Sequence, residues 1–122
     1  MPSKRQGYIA RRIYAFKYAA RGAWLLLRRE PSIQVQAAIG LLVTVAGFYF
    51  DISAIEWIMQ TLAITLVMGV EAINTALEEL ADYIQPNHDQ KIGRLKDVAA
   101  GAVLFVAFGA VVTGCLIYIP KF

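Results

Sequence analysis

The chain has 122 residues, 58% of them hydrophobic, with a mean hydropathy of +0.53 and a formal net charge of +3. A soluble domain of this length cannot bury that much apolar surface in one core, which argues against a soluble helical globule and for a chain solvated by lipid. Cys115 is the only cysteine and His88 the only histidine, which excludes an intramolecular disulfide, a Cys/His metal cluster and a Ser/His/Asp catalytic set.

Residues 1–29 hold eight of the twelve basic residues: Lys4, Arg5, Arg11, Arg12, Lys17, Arg21, Arg28 and Arg29. They alternate with Ile9, Ile13, Tyr14, Phe16, Tyr18, Trp24 and the run Leu25 to Leu27. This mixture predicts an amphipathic helix lying in the headgroup plane and drawn to anionic lipid. A basic, aromatic stretch also suits nucleic acid, but its place directly before an apolar span argues for the bilayer and against a nucleic-acid partner. Charges every few residues break the pattern of a cleavable signal, so none is expected to be removed.

Three apolar segments follow, 33–50, 54–70 and 98–119, each within or close to the length needed to cross a bilayer as a helix. Pro31 suits the first turn of the first span, and Glu30 before it places negative charge at the positive end of the helix dipole. The short connection after Phe50 has no basic residue, whereas Lys91, Arg94 and Lys96 lie between the second and third spans. Basic flanks stay inside. The expected topology therefore puts the N-terminus and residues 71–97, a helix extension and loop, in the cytoplasm, with the C-terminus outside; Lys121 is a minor exception. Gly101, Gly109 and Gly114, with Ala102 and Ala110, form small-residue surfaces in the third span of the kind that let membrane helices approach closely. The whole reads as one all-α membrane domain, residues 1–122.

The stretch "EAINTALEELAD" continues the second span. On one helix Glu71, Asn74, Glu78 and Asp82 fall at i, i+3, i+7 and i+11 and form a narrow stripe, with Glu79 to its side. Glu71 then lies near the inner edge of the hydrocarbon and the later acids progressively farther into water. A carboxylate at that depth signals function or a partner. Such a stripe is stable when a cation or basic residues neutralise it, and oxygen ligands suit Mg²⁺, especially with substrate phosphates. A solvated helix end balanced by Lys91, Arg94 and Lys96 satisfies the same pattern.

"EAINTALEELAD" resembles the signature of the small bacterial membrane lipid kinases, the diacylglycerol kinase and undecaprenol kinase family, and "GRLKDVAAGAVL" resembles that family's second motif. The likeness covers essentially the whole chain. It implies ATP- and Mg²⁺-dependent phosphorylation of a membrane lipid alcohol in the bacterial inner membrane, either diacylglycerol to phosphatidic acid or, alternatively, undecaprenol to undecaprenyl phosphate. Carried over by position, it implies that Glu71 is the general base and that Glu78 binds Mg²⁺ together with Glu30. Asn74 and Asp82 support the site. It further implies ATP contacts from Arg11, Tyr18, Glu30, Glu78, Asn87, His88, Asp89, Lys96 and Asp97, and lipid contacts from Arg11, Glu71 and Ala100. Two positions depart from the pattern: the family often has histidine where Asp89 stands, and some members have serine where Ala100 stands. A homotrimer with sites shared between neighbours is implied by the resemblance alone. A non-enzymatic membrane subunit docking a partner through its acidic helix end is the rival reading, and the Lys96–Asp97 pair beside the glutamates argues against it.

Overall fold

A computed structural model describes residues 7–122; Lys4 and Arg5 of the basic N-terminal segment lie outside the described residues. Four helices and a terminal 3₁₀ turn account for nearly all of it: α1 (Tyr8–Arg29), α2 (Pro31–Tyr49), α3 (Ala54–Ile84), α4 (Gln90–Tyr118) and the turn Ile119–Lys121. No strand occurs among the described residues. The all-α expectation and its three spans are met, since α2, α3 and α4 are each long and apolar enough to cross a membrane.

Local chemistry sets the helix boundaries. Pro31 occupies the first position of α2 with extended Glu30 as its N-cap, where the missing proline N–H costs nothing. Gln34, one turn into α2, donates to the carbonyls of Leu27 and Arg28 at 3.1 and 3.0 Å and so satisfies two of the orphan acceptors at the end of α1. α3 opens on a capping box in which the Ser53 hydroxyl accepts from the Glu56 N–H and the Glu56 carboxylate accepts from the Ser53 N–H. Asp51, in the turn between α2 and α3, takes a left-handed conformation with φ 52°. Asp89 caps α4 by accepting from the N–H groups of Lys91 and Ile92. The connection after α3 is consequently only residues 85–89, and Lys91, Arg94, Lys96 and Asp97 stand on a helix rather than in a loop.

α3 packs chiefly on α4, and less extensively on α2. The core is small: Ile33, Ile52, Ala81, Ala99 and Ile117 are its buried apolar residues, whereas Leu41, Leu42, Leu104, Phe105 and Phe108 are largely exposed. Apolar surface of that extent on helices of spanning length faces lipid. α1 buries no residue, as befits a helix lying at the interface. Its tyrosines pair with its own cations: Arg12 lies 5.4 Å from the Tyr8 ring, Lys17 5.7 Å from Tyr14 and Arg21 5.7 Å from Tyr18.

Two ends of the bundle differ in how they are fastened. At the end formed by the close of α2, the start of α3 and the close of α4, the buried Gln60 amide donates to the Val43 carbonyl at 3.2 Å. The Tyr118 hydroxyl donates to Gln60 Oε1 and lies 3.0 Å from the same carbonyl. Lys121 Nζ adds an ion pair to Glu56 at 2.8 Å. These contacts join all three spans. Close backbone approach also occurs there, at Gly47, where a Cβ would come within 2.6 Å of the Trp57 ring, and farther along α2 at Gly40, 3.1 Å from Ile64. The expected packing through α4 glycines is not used within one chain: a Cβ on Gly101, Gly109 or Gly114 meets nothing within 4 Å.

Candidate functional site

The opposite end carries the acids. α3 runs without a break for 31 residues, about 46 Å at 1.5 Å per residue, against a hydrocarbon layer of about 30 Å. Its last turns therefore stand clear of the bilayer. Burial changes along the stripe accordingly. Glu71 is 9% exposed and Asn74 7%, whereas Glu78 and Asp82 are exposed. The stripe runs from an enclosed carboxylate to solvated ones.

The Glu71 side chain makes no hydrogen bond or ion pair with any described residue. It lines a cleft of about 400 Å³ with Pro31, Ser32, Val35 and Gln36 from the first turns of α2. Its carboxylate oxygens are not among the buried unpartnered atoms, so the side chain opens into that cleft. The side-chain carbonyls of Gln36 and Asn74 are the two buried polar atoms without a hydrogen-bond partner among the described residues. Asn74 turns its amide nitrogen to Glu78 Oε1 at 3.3 Å, so one residue of the stripe orients the next.

Glu30 is half-buried and lines a second cleft, about 390 Å³, between the end of α1 and the same segment of α3. Across this cleft stand Thr75 and Glu79; Glu78 is not among its lining residues. Within one chain the acid facing Glu30 is thus Glu79, which lies about 100° around the helix from Glu78. No group of three or more His, Cys, Asp or Glu side chains among the described residues is arranged to hold a metal ion.

Lys96 Nζ donates to Asp82 Oδ1 and ties the start of α4 to the end of α3. Asp97 and Ala100 are exposed on α4. Asn87 and His88 are exposed in the short connection, where the Asn87 N–H donates to Gln85 Oε1 at 3.3 Å; Asp89 serves as the α4 cap. Arg11 and Tyr18 are exposed on α1. They stand about 28 and 18 Å along that helix from Glu30, so the structure does not gather them at one point with it. Gln36, Thr75 and Glu79 border the two clefts; Thr75 and Glu79 lie within the acidic motif without a role assigned to them, and a polar residue in an otherwise apolar segment is the signal that points to Gln36. The apolar cavity of about 260 Å³ at the other end, lined by Ile39, Val43, Ile64, Ala110 and Ile117 among others, has no acid, lysine or histidine in its wall.

The profile of the prokaryotic diacylglycerol kinase family matches residues 17–118. An undecaprenol kinase of Bacillus subtilis is 37% identical over 107 residues, covering 88% of this chain and 87% of the relative. A diacylglycerol kinase of Escherichia coli K12 is 32% identical over 104 residues, covering 85% and 82%. A diacylglycerol kinase of Haemophilus influenzae is 27% identical over 95 residues, covering 78% and 80%. With three membrane-spanning helices, an acid stripe that runs from lipid depth to water, and this match along most of its length, the chain belongs to the prokaryotic diacylglycerol kinase family of membrane lipid kinases.

Proposed function

We propose that the chain transfers the γ-phosphoryl group of ATP directly to the hydroxyl of a membrane lipid alcohol, with Glu71 as general base. The observation that carries this reading is the state of Glu71: a residue 9% exposed whose side chain has no partner among the described residues and lines a cleft with the first turns of α2. Glu71 takes the hydroxyl proton as the lipid oxygen attacks the γ-phosphorus, and the bond from that phosphorus to the β–γ bridging oxygen breaks to release ADP. The exposed part of the stripe and Lys96 receive the nucleotide from the aqueous side. Arg11, Tyr18, Asn87, His88, Asp89 and Asp97 complete its contacts, and Arg11 and Ala100 border the lipid.

The donor set fits Mg²⁺. Glu30 and Glu78 would hold it, with the unpartnered Asn74 carbonyl oxygen as a further hard donor. Mg²⁺ takes one or two carboxylates and completes its shell with water and phosphate, so a dedicated cage of protein ligands is not required. Bound there, the ion neutralises charge on the phosphates during transfer. In one chain the acid lining the cleft with Glu30 is Glu79; a homotrimer with sites shared between neighbouring protomers is what the family resemblance implies. The basic residues flanking the acid-bearing end support its placement in the cytoplasm of a bacterial inner-membrane protein, with the C-terminus outside.

Diacylglycerol and undecaprenol both present a hydroxyl at this depth. Diacylglycerol, yielding phosphatidic acid, is the first reading. Undecaprenol is the second, and it is favoured by the 37% identity to the undecaprenol kinase against 32% to the Escherichia coli diacylglycerol kinase over a similar length. Purified protein in mixed micelles is given γ-labelled ATP, Mg²⁺ and either lipid. Label is expected in one lipid at a rate at least tenfold above the other and to vanish on chelation. ATP hydrolysis without transfer to either lipid overturns the proposal.

A further inference from the structure

We propose that Asp82 is a positioning residue for the transfer: its carboxylate holds the Lys96 ammonium at the water-facing end of the acid stripe, where it meets the phosphate chain of ATP. This rests on the kinase reading above and adds to it a role for a residue placed beyond reach of the lipid.

The ion pair bridges α3 and α4 across the short connection, between residues 14 apart in sequence. It faces water, with the Lys96 side chain 36% exposed and that of Asp82 63%. A single solvated ion pair contributes little to stability, so helix packing is a poor reason for it. Its selectivity is informative. Lys91 and Arg94 occupy the same stretch of α4 and form no ion pair among the described residues, and Asp97, next to Lys96 in sequence, forms none either. Only the lysine directed at the stripe is held, and it is held by the last acid of the stripe.

Geometry and charge give the pair its use. Asp82 lies one turn beyond Glu78 on the same face, about 6 Å along the helix axis. Lys96 is thereby fixed one turn from the carboxylate assigned to Mg²⁺. An ammonium has three N–H donors, and Asp82 occupies one, which leaves two for phosphate oxygens. An isolated Asp82 would repel a phosphate chain. Paired with Lys96, it is neutralised, and the stripe ends on free cationic donors. A lysine stem is flexible and is oriented only by what its head binds, so without Asp82 the ammonium samples positions away from the stripe.

The test uses full-length protein in lipid–detergent micelles and two readouts: calorimetric binding of a non-hydrolysable ATP analogue with Mg²⁺, and steady-state kinetics with ATP and lipid varied separately. Asp82→Asn is expected to weaken analogue binding and raise KM for ATP by about fivefold or more, the range of coupling between contacting residues, with KM for lipid unmoved. Asp82→Glu restores most of the loss. In a Lys96→Met background, Asp82→Asn adds less than about twofold, because the residue through which it acts is gone. Unchanged or tighter analogue binding in Asp82→Asn overturns the proposal, and so does an undiminished effect in the Lys96→Met background. Failure of the parental protein to phosphorylate any lipid would sink the kinase reading instead, and the binding measurements distinguish the two outcomes.

Discussion

Glu71→Gln separates binding from chemistry. The substitution keeps the length and shape of the side chain but removes the ability to accept a proton. Glu71 lies about 26 Å along α3 from Ala54, within a hydrocarbon layer of about 30 Å, and is 9% exposed. The expected loss in turnover is about 10²–10⁴-fold, the usual contribution of a positioned acid or base, or about 3–5.5 kcal/mol in activation free energy. Because the carboxylate has no partner among the described residues, no ion pair is broken, so thermal stability in detergent should equal that of the parent. The assay pairs lipid phosphorylation at saturating ATP and acceptor with a melting curve and analogue binding. Turnover at the parental rate would refute the assignment of the base. A fall in melting temperature matching the loss of activity would show that Glu71 serves the fold instead.

Glu30→Gln and Glu78→Gln should each raise the Mg²⁺ concentration needed for half-maximal activity by about tenfold or more, and Glu79→Gln by less, since Glu79 lies off the stripe; a Glu79 effect larger than that of Glu78 would move the ion to the cleft shared by Glu30 and Glu79, and equal effects would refute the stripe. Gly47→Val should lower stability by about 1–3 kcal/mol in a detergent melt, because the new Cβ would stand 2.6 Å from the Trp57 ring; a parental melting temperature would show that Trp57 is free to move. In a Cys115→Ala background, Ala54→Cys should react with an impermeant thiol reagent in intact cells and Gln90→Cys should not, and the reverse pattern would invert the topology. Ala54 is preferred to Ser53 for this purpose because the Ser53 hydroxyl caps α3.

Much of this arrangement is legible in the residues themselves. Spans of sufficient length, the proline that opens α2 and the 3.6-residue period of the acid stripe are local properties of the chain, and each reappears in the structure. Contacts across long separations have no such signature. Tyr118 reaches Gln60 over 58 residues and Val43 over 75, and neither end suggests the other. The glycines pose a related difficulty. Counting small residues points to α4, whereas the close approaches within the chain occur at Gly40 and Gly47, opposite Ile64 and Trp57 of α3. Asp89 shows a legible feature with another role: an aspartate before a basic helical turn is a cap signal, and it caps α4. That Glu79, not Glu78, faces Glu30 depends on where α1 lies against α3, which helical periodicity alone does not specify.

The side-chain hydrogen bonds that join α2 to α3 and α4 lie at Val43, Gln60 and Tyr118, remote from the acids. At the Glu71 end α2 is held to α1 by Gln34 and α3 to α4 by the Asp82–Lys96 pair, but no side-chain hydrogen bond joins α2 to α3 there among the described residues. The cleft between the first turns of α2 and Glu71 is therefore closed by packing alone, and parting α2 from α3 there breaks no hydrogen bond between those two helices. Mild heating should accordingly loosen that cleft and lower turnover before circular dichroism registers any loss of helix.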